Sequence, residues 1–413
     1  MPFFTPLFLI YSFIMIETGI CIIGAGAAGL MAACTAATGG KNVVVAESNS
    51  AAGRKLLLTG GGRCNLTHTH TGNIDEFIRE YKPFDKFVRH CIHTFPPEKL
   101  RDFFAQRGLE TIVEQNGCVG CVFPKTNRSS DVCKVLTDEL KKPNVKIIYG
   151  TKINSIKKDD DFTIQSDKFS ISAKSLIIAT GGVSWPQTGS DGSGYQFAKS
   201  LGHKIITPIP CLVPLITKEK FTSLAGVSVQ DVLISGKIAN KKITSRGAMI
   251  FTHTGIGGPA VLDFSRTACE HLQNLKISLD FLPNISVENL DLELTKSFAE
   301  NQNKTAGSVL YRFLPKALAE RIADGKSSQI DKKTRKEIVG KLKSFPLTIA
   351  GTEVIEKATI TRGGVDTAEI DSKTMESKIC KGLFFAGEIM NVDAPCGGYN
   401  LQFAFSSGFL AGT

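Results

Sequence analysis

The sequence predicts an α/β fold in which a nucleotide-binding sheet is split in two by an inserted α+β domain. Three observations carry that reading. Residues 20–47 form a strand, glycine turn, helix and strand unit closed by an acid. A second buried strand, SLIIAT, ends in Gly181 and Gly182. From about residue 208 strands are followed by helices, and after 349 the chain returns to a strand, KGLFFAGE, and a glycine-rich turn. Strand–helix alternation of this kind builds a parallel sheet that binds ligands beyond its carboxyl ends. The nucleotide domain is therefore expected at 17–207 and 349–413, with the insert at 208–348, and 413 residues suffice for both.

The opening unit reads ICIIGAGAAGLMAACTAATGGKNVVVAE. Gly24, Gly26 and Gly29 give G-x-G-x-x-G, with Ala27 and Ala28 inside it. The first glycine allows the tight turn, the second lets backbone approach a pyrophosphate, and the third lets the helix pack on the strand. The helix start then points free N–H groups at the phosphates. Glu47, followed by Ser48, is placed to bind a ribose diol, and its carboxylate would repel a 2′-phosphate. The unit alone leaves FAD or NAD.

The next loop, SNSAAGRKLLLTGGGRCNLTH, carries Arg54, Lys55, a glycine triplet at 60–62, then Asn65 and Leu66. Such glycines let N–H groups converge on the polar edge of a flavin. With the ATGG strand end and the distant FFAGE…GGYN turn, this loop narrows the cofactor to FAD. No second complete G-x-G-x-x-G with strand and acid appears, which leaves NAD(P)H only as a reductant that docks transiently.

The spacing predicts amphipathic helices at 96–108 and 129–142. Strands at 145–149 and 152–157, then FTIQS and FSISA, read as an antiparallel insertion before SLIIAT. VSWPQTGSDGSGYQFAKSLGH reads as a glycine-rich loop entering a helix. In the insert, CLVPLIT, VSVQDVLISGKI and KKITSRGAMIFTH read as strands and GIGGPAVLDFSR as a loop, with helices at 287–300, 306–323 and 332–343.

Composition limits the function classes. With 42% hydrophobic and 21% charged residues, the chain is an ordinary globular protein. The net charge of +10 comes from scattered Lys and Arg without a dense basic run, so no stable nucleic-acid partner is expected. Eleven cysteines without a framework spacing suit reduced thiols in a cytoplasm. Cys118 and Cys121, the one C-x-x-C, are expected to be two separate thiols, and no metal site is expected. The apolar stretch 1–16 lacks both a signal peptide's basic start and a span's length, so no membrane attachment is expected. Met15 is the expected true start.

Four stretches carry a resemblance: IGAGAAGL with Glu47 and GRKLLLTGGGRCNLT; IIATGGVSWPQTGSDGSGY…LGH…PCLVPL; GAMIFTHTGIGGPAVLDFSR; and TRGGV…KGLFFAGEIMNVDAPCGGYNLQFAFSSG. The chain resembles the two-dinucleotide-binding-domain flavoproteins with an inserted domain, labelled dehydro-bile-acid reductase-like (BaiN-type) or aminoacetone-oxidase-like. The resemblance implies non-covalent FAD, with Arg54, Lys55 and Asn65 along it, Ile153 near the adenine and Thr180 and Gly181 close by. Gly387, Glu388 and Asp393, with Gly398, Tyr399, Asn400, Leu401 and Gln402, would line the ribityl and ring end. It also implies an insert made of a small β-barrel and helices. Asn391 stands where the family more often has an acid, and the chain ends at Thr413 within or just after a helix expected either to fray or to take partners from elsewhere.

The implied activity is hydride transfer between the flavin and a small organic substrate, with His253 and Tyr399 as candidate proton donors. An amine or aminoketone oxidase that returns electrons to oxygen is the alternative within this class, since both reactions place a substrate carbon beside the flavin. A flavin-containing RNA-binding or tRNA-modifying protein is the alternative of another class.

Overall fold

A computed structural model of the chain describes residues 14–69, 73–115 and 118–413. The opening unit is β1 (Ile14–Ile23), α1 (Ala27–Thr38) and β2 (Val43–Ala46). Next come β3 (Thr67–His68), α2 (Ile74–Arg79), α3 (Asp85–Thr94), α4 (Pro97–Ala105), β4 (Thr111–Val113) and β5 (Cys121–Pro124). Then follow α5 (Ser129–Glu139), β6 (Val145–Ile148), β7 (Ile153–Lys158), β8 (Phe162–Ser166), β9 (Phe169–Ile178), α6 (Ser193–Ser200) and β10 (Ile205–Cys211). The insert holds β11 (Leu215–Thr217), β12 (Ser228–Ile238), β13 (Lys241–Phe251), β14 (Gly255–Gly257), α7 (Pro259–Ala268) and β15 (Lys276–Asp280). It continues through α8 (Val287–Glu300), α9 (Ala306–Val309), α10 (Lys316–Ile322), α11 (Lys332–Lys343) and β16 (Phe345–Thr352). The chain returns with β17 (Ile360–Val365), β18 (Leu383–Phe385) and α12 (Tyr399–Gly412).

The main sheet has the order β6-β2-β1-β9-β8-β7, and β18 pairs with the far half of β9. β1 runs parallel to β2 and β9, and β9 parallel to β18, with level carboxyl ends. Ile23 faces both Ala46 and Ile178, and Ile178 faces Phe385. Level ends create one crevice, and the last of these strands lies more than 300 residues after the first. SLII is not a separate strand: it completes β9, whose first half pairs antiparallel with β8. β6, expected in the antiparallel insertion, is instead a parallel neighbour of β2. Just before it, the Asn144 amide donates to the carbonyls of Lys41 (2.8 Å) and Ala37 (3.1 Å), fixing β6 beside the α1–β2 turn.

Six insert strands close into a barrel in the order β11-β14-β13-β12-β15-β16, as the resemblance implied. Its last strand reaches Thr352, beyond 348. The barrel and its helices have their own apolar core, centred on Val232, Phe251, Phe264 and Leu279. GIGGPAVLDFSR is mostly helical: Gly258 turns at φ 92° and Pro259 opens α7, a place where proline's missing N–H costs nothing. The helix expected at 306–323 is broken into α9 and α10, and Pro315 caps the second. The antiparallel pair β10–β17 joins insert to sheet.

Residues 14–16, expected in the apolar extension, begin β1, where Ile14 and Ile16 pair with Phe169 and Ile171. The rest of that stretch lies outside the described residues. α12 is intact to Gly412 and buried there, not frayed. A Cβ on Gly408 or Gly412 would sit 2.3 or 2.4 Å from the Ala28 or Ala32 carbonyl oxygen, so glycine sets how closely α12 lies on α1. Cys118 and Cys121 form a disulfide, their Cα atoms 5.5 Å apart, where two thiols were expected. No helix among the described residues is long and apolar enough to cross a membrane.

Candidate active site

A cleft of about 380 Å³ lies beyond the level strand ends. Four of the parallel strands deliver residues just past their ends to it: Gly24 after β1, Glu47 after β2, Thr180 and Gly181 after β9, and Gly387 and Glu388 after β18. Gly24 turns at φ 100°, and a Cβ there would sit 2.6 Å from the Ala179 carbonyl oxygen. A Cβ on Gly29 would sit 1.9 Å from the Gly24 carbonyl oxygen, so this glycine serves helix–strand contact and does not line the cleft. Gly26 differs from both. Its φ of −82° suits any residue, and a Cβ there would meet no atom within 4 Å. The room above Gly26 is cleft, at the N-cap of α1, whose first N–H groups have no intrahelical partners.

Glu47 is buried at the end of β2. One carboxylate oxygen accepts the Ala25 N–H (2.7 Å); the other accepts the Asn49 backbone N–H (2.8 Å) and the Asn49 amide (2.7 Å). The Ser48 hydroxyl also donates to that second oxygen (3.4 Å), whereas the first, Oε2, accepts only the Ala25 N–H among the described residues and keeps a lone pair open to a ligand. Exposed Arg54 donates to the Asn49 side chain (2.9 Å) and holds this arrangement. Lys55 spans the cleft to Glu388 (2.7 Å) and Ser184 (2.7 Å); Glu388 also accepts from the Thr361 N–H (2.8 Å) and the Ser184 hydroxyl (3.1 Å). The Asn65 amide ties two walls, donating to the Thr67 carbonyl (3.0 Å) and accepting from the Gly398 N–H (3.2 Å). Gly398, at φ 98°, caps α12; a Cβ there would strike Thr67 backbone.

Ala27, Ala28, Ser48, Ile153, Asn400 and Leu401 also line the cleft. Five other named residues do not. Leu66 is fully buried in the core. The Gln402 amide donates to the Phe95 carbonyl (2.9 Å) and Ser406 (2.9 Å), locking α12 to the end of α3. Asp393 is fully buried between two guanidinium groups, Arg266 of α7 and Arg362 of β17, each within 2.7 Å, so it pins the insert to the sheet domain. Tyr399 is buried, stacked on His68 at 5.2 Å and against Phe77 at 4.8 Å, and burial pushes its hydroxyl up. His253 sits exposed in the turn between β13 and β14. Sequence reasoning missed Asn49, Thr188, Phe197, Leu212 and Ile360 in the lining; Cys396 was placed beside the GGYN turn by the sequence but given no site role.

The same architecture recurs in known proteins. The model of the HI0933-like protein Rossmann domain matches residues 18–413. The chain belongs to the HI0933-like family of Rossmann FAD-binding proteins. The family is one of FAD-dependent oxidoreductases, and this member is an enzyme of that class. A 3-dehydro-bile acid delta(4,6)-reductase of Clostridium scindens is 32% identical over 412 residues, 95% of this chain and 98% of its own. A ribosomal RNA dihydrouridine synthase of Haemophilus influenzae is 33% identical over 404 residues, 94% of this chain and 96% of its own. Among solved structures, the E. coli quinol fumarate reductase subunit FrdA superposes with a TM-score of 0.51 at 16% identity, over 96% of this chain and 69% of that one. The 3-ketosteroid delta1-dehydrogenase of Sterolibacterium denitrificans superposes with a TM-score of 0.50 at 12% identity, over 96% and 98%. At that identity the two superpositions speak for the fold.

Proposed function

We propose that the chain holds FAD non-covalently and saturates a carbon–carbon double bond conjugated to a carbonyl, with NAD(P)H docking transiently as reductant. The observation that carries this is the empty room at Gly26, continuous with a cleft whose other walls include Leu212, Ile360 and Cys396. One cavity can thus take a dinucleotide and a small substrate. The relatives' names favour the bond type. A delta(4,6)-reductase acts by name on double bonds, and dihydrouridine is uridine with one ring double bond saturated.

When bound, FAD supplies hydride chemistry; the protein binds, orients and sets the field. The turn 24–29 and the start of α1 hold the pyrophosphate. Glu47 and Ser48 hold the ribose, with Ile153 at the adenine. Arg54, Lys55, Asn65, Thr180, Gly181, Gly387 and Glu388 flank the rest. Backbone N–H groups at the start of α12, from Tyr399 onward, stabilise negative charge on the ring edge. Asp393, Leu66 and Gln402 act at one remove, by fixing the walls. Nine free cysteines favour a cytoplasmic setting.

A second reading keeps the chemistry and changes the substrate to a uracil ring in RNA. It is favoured by the dihydrouridine synthase relatives, which match over 94% of this chain, and by the net charge of +10. Anaerobic mixing of the yellow protein with NADH or NADPH, then with a conjugated enone or a ribosomal RNA fragment, separates these readings. Bleaching by pyridine nucleotide and recolouring by the enone supports the first; recolouring by RNA alone, with salt-sensitive binding, supports the second. No bleaching by either nucleotide, with peroxide formed from amines, would instead mark an oxidase. Flavin that stays with acid-precipitated protein would refute non-covalent binding.

A further inference from the structure

Reducing a conjugated double bond requires a proton as well as a hydride, and neither candidate named from the sequence lines the cleft. Cys396 does. It lies in the turn before Gly397 and Gly398, is half-buried, and carries a free thiol. Against it stands Asp263 of α7, the first helix of the insert, whose Oδ1 accepts the Cys396 backbone N–H at 2.7 Å. Asp263 has no ion-pair partner among the described residues. Its neighbour Asp393, by contrast, is paired with both Arg266 and Arg362. We propose that Cys396 donates the proton to the substrate carbon α to the carbonyl, and that Asp263 returns a proton to the thiolate. The proposal rests on the double-bond reading above.

The step balances as follows. The double bond gains a hydride at its β carbon, with electrons that come from the pyridine nucleotide. The electron pair left on the α carbon takes the proton of Cys396: the S–H bond breaks, a C–H bond forms and a thiolate remains. The Asp263 carboxyl group protonates that thiolate and is itself reprotonated from solvent.

The electrostatics suit these roles. Burial, and then the Asp263 carboxylate, push the Cys396 thiol well above its usual range, so it stays protonated at neutral pH and loses its proton only to a strong carbon base. Burial pushes Asp263 up to about 6, against the Cys396 N–H bond, which lets it cycle between acid and carboxylate near neutrality. Arg266 faces both groups. Glu80 also faces Asp263, and Cys211 also faces Cys396. Arg266 is committed to Asp393 and to the Lys82 carbonyl (2.9 Å), so it does not neutralise Asp263 directly.

The test uses the FAD-loaded enzyme and its Cys396→Ala, Cys396→Ser and Asp263→Asn variants. Loss of a proton donor is expected to slow recolouring by a cyclic enone about 100-fold in Cys396→Ala, while the bound flavin is still bleached by NAD(P)H. Cys396→Ser should recover part of that loss. Asp263→Asn should slow recolouring about 10-fold and flatten its pH profile around 6. In flavin-free protein, alkylation of the Cys396 peptide followed by mass spectrometry should become faster at a given pH in Asp263→Asn, because the carboxylate no longer holds the thiol up. Wild-type recolouring in Cys396→Ala overturns the donor role. An unchanged alkylation profile in Asp263→Asn overturns the pairing. If the wild type reduces no enone at all, the double-bond reading fails and takes the donor role with it. That failure is distinct from one in which wild type and Cys396→Ala turn over equally.

Discussion

Two of the three motif glycines should fail in opposite ways when given a methyl group. At Gly29 the new Cβ would lie 1.9 Å from the Gly24 carbonyl oxygen, far inside the 3.4 Å of ordinary contact. Backbone cannot rotate away as a side chain can, so α1 must lift from β1. Overpacking of this kind costs about 1–3 kcal/mol, and rigid neighbours put it at the upper end. At Gly26 the methyl meets nothing within 4 Å and the backbone is already in an ordinary region. The flavin-free Gly26→Ala protein should therefore unfold within a degree or two of wild type, since both propensity and capping effects there are about 1 kcal/mol or less. The methyl would instead occupy the space assigned to the pyrophosphate. A 100-fold loss of FAD affinity, about 2.7 kcal/mol, is the expected size. Thermal unfolding of flavin-free protein and titration with FAD measure the two effects separately. Wild-type FAD affinity in Gly26→Ala would refute the placement of the dinucleotide, however well the rest of the motif fits.

Three further outcomes follow from the same geometry. Glu47→Ala should lower FAD retention on desalting, and it should also loosen the Ala25–Asn49 hydrogen bonds that the carboxylate now accepts; full retention would exclude a ribose contact. Asp393→Ala should destabilise the protein by about 3–5 kcal/mol, because it strands two largely buried guanidinium groups, and an unchanged melting temperature would show that the insert is held by other contacts. His203, buried between Glu369 (3.0 Å) and Ser377 (2.8 Å), has its pKa lowered by burial, against the pull of Glu369. The unfolded chain therefore takes the proton first, so this contribution is complete above the ordinary value of 6.5 and is lost as pH falls below it. The drop in melting temperature between pH 7 and pH 5 should be smaller in His203→Gln than in wild type, and an equal drop would place the titration elsewhere.

The parts of the site that were legible in the sequence are those where backbone chemistry demands a residue type. The 24–29 turn, the acid after β2 and the glycines after β9 and β18 each begin within three residues of a strand end, and a strand end followed by glycine is visible in one dimension. The alternation at 169–173 followed by the apolar run at 175–178 concealed a single strand, because β9 changes partner midway: antiparallel β8 on one half, parallel β18 on the other. Each half shows the pattern of its own environment. GIGGPAVLDFSR looked like a loop because its glycines precede the helix, and Pro259 opens α7 where elsewhere it would break one. Asp393 and Gln402 are close in sequence to the glycine turn but point into the protein. Proximity along the chain does not report direction, and a buried carboxylate between two arginines leaves no trace in spacing.

On the proposed function, cofactor and substrate determinants are segregated. The residues just past β1, β2, β9 and β18 line the cleft, and they come from the two outer blocks of the chain. The insert touches the same cleft by another route: Arg266 grips Asp393, and Asp263 reaches Cys396, both from α7. Changes in the barrel that re-aim α7 would move the Cys396 turn with it and leave the residues after β1, β2, β9 and β18 in place. On that reading, relatives about one-third identical to this chain can carry names as different as a bile-acid reductase and an RNA dihydrouridine synthase. On the proposed function, the reaction is fixed where the strands end and the substrate is chosen where the insert meets them.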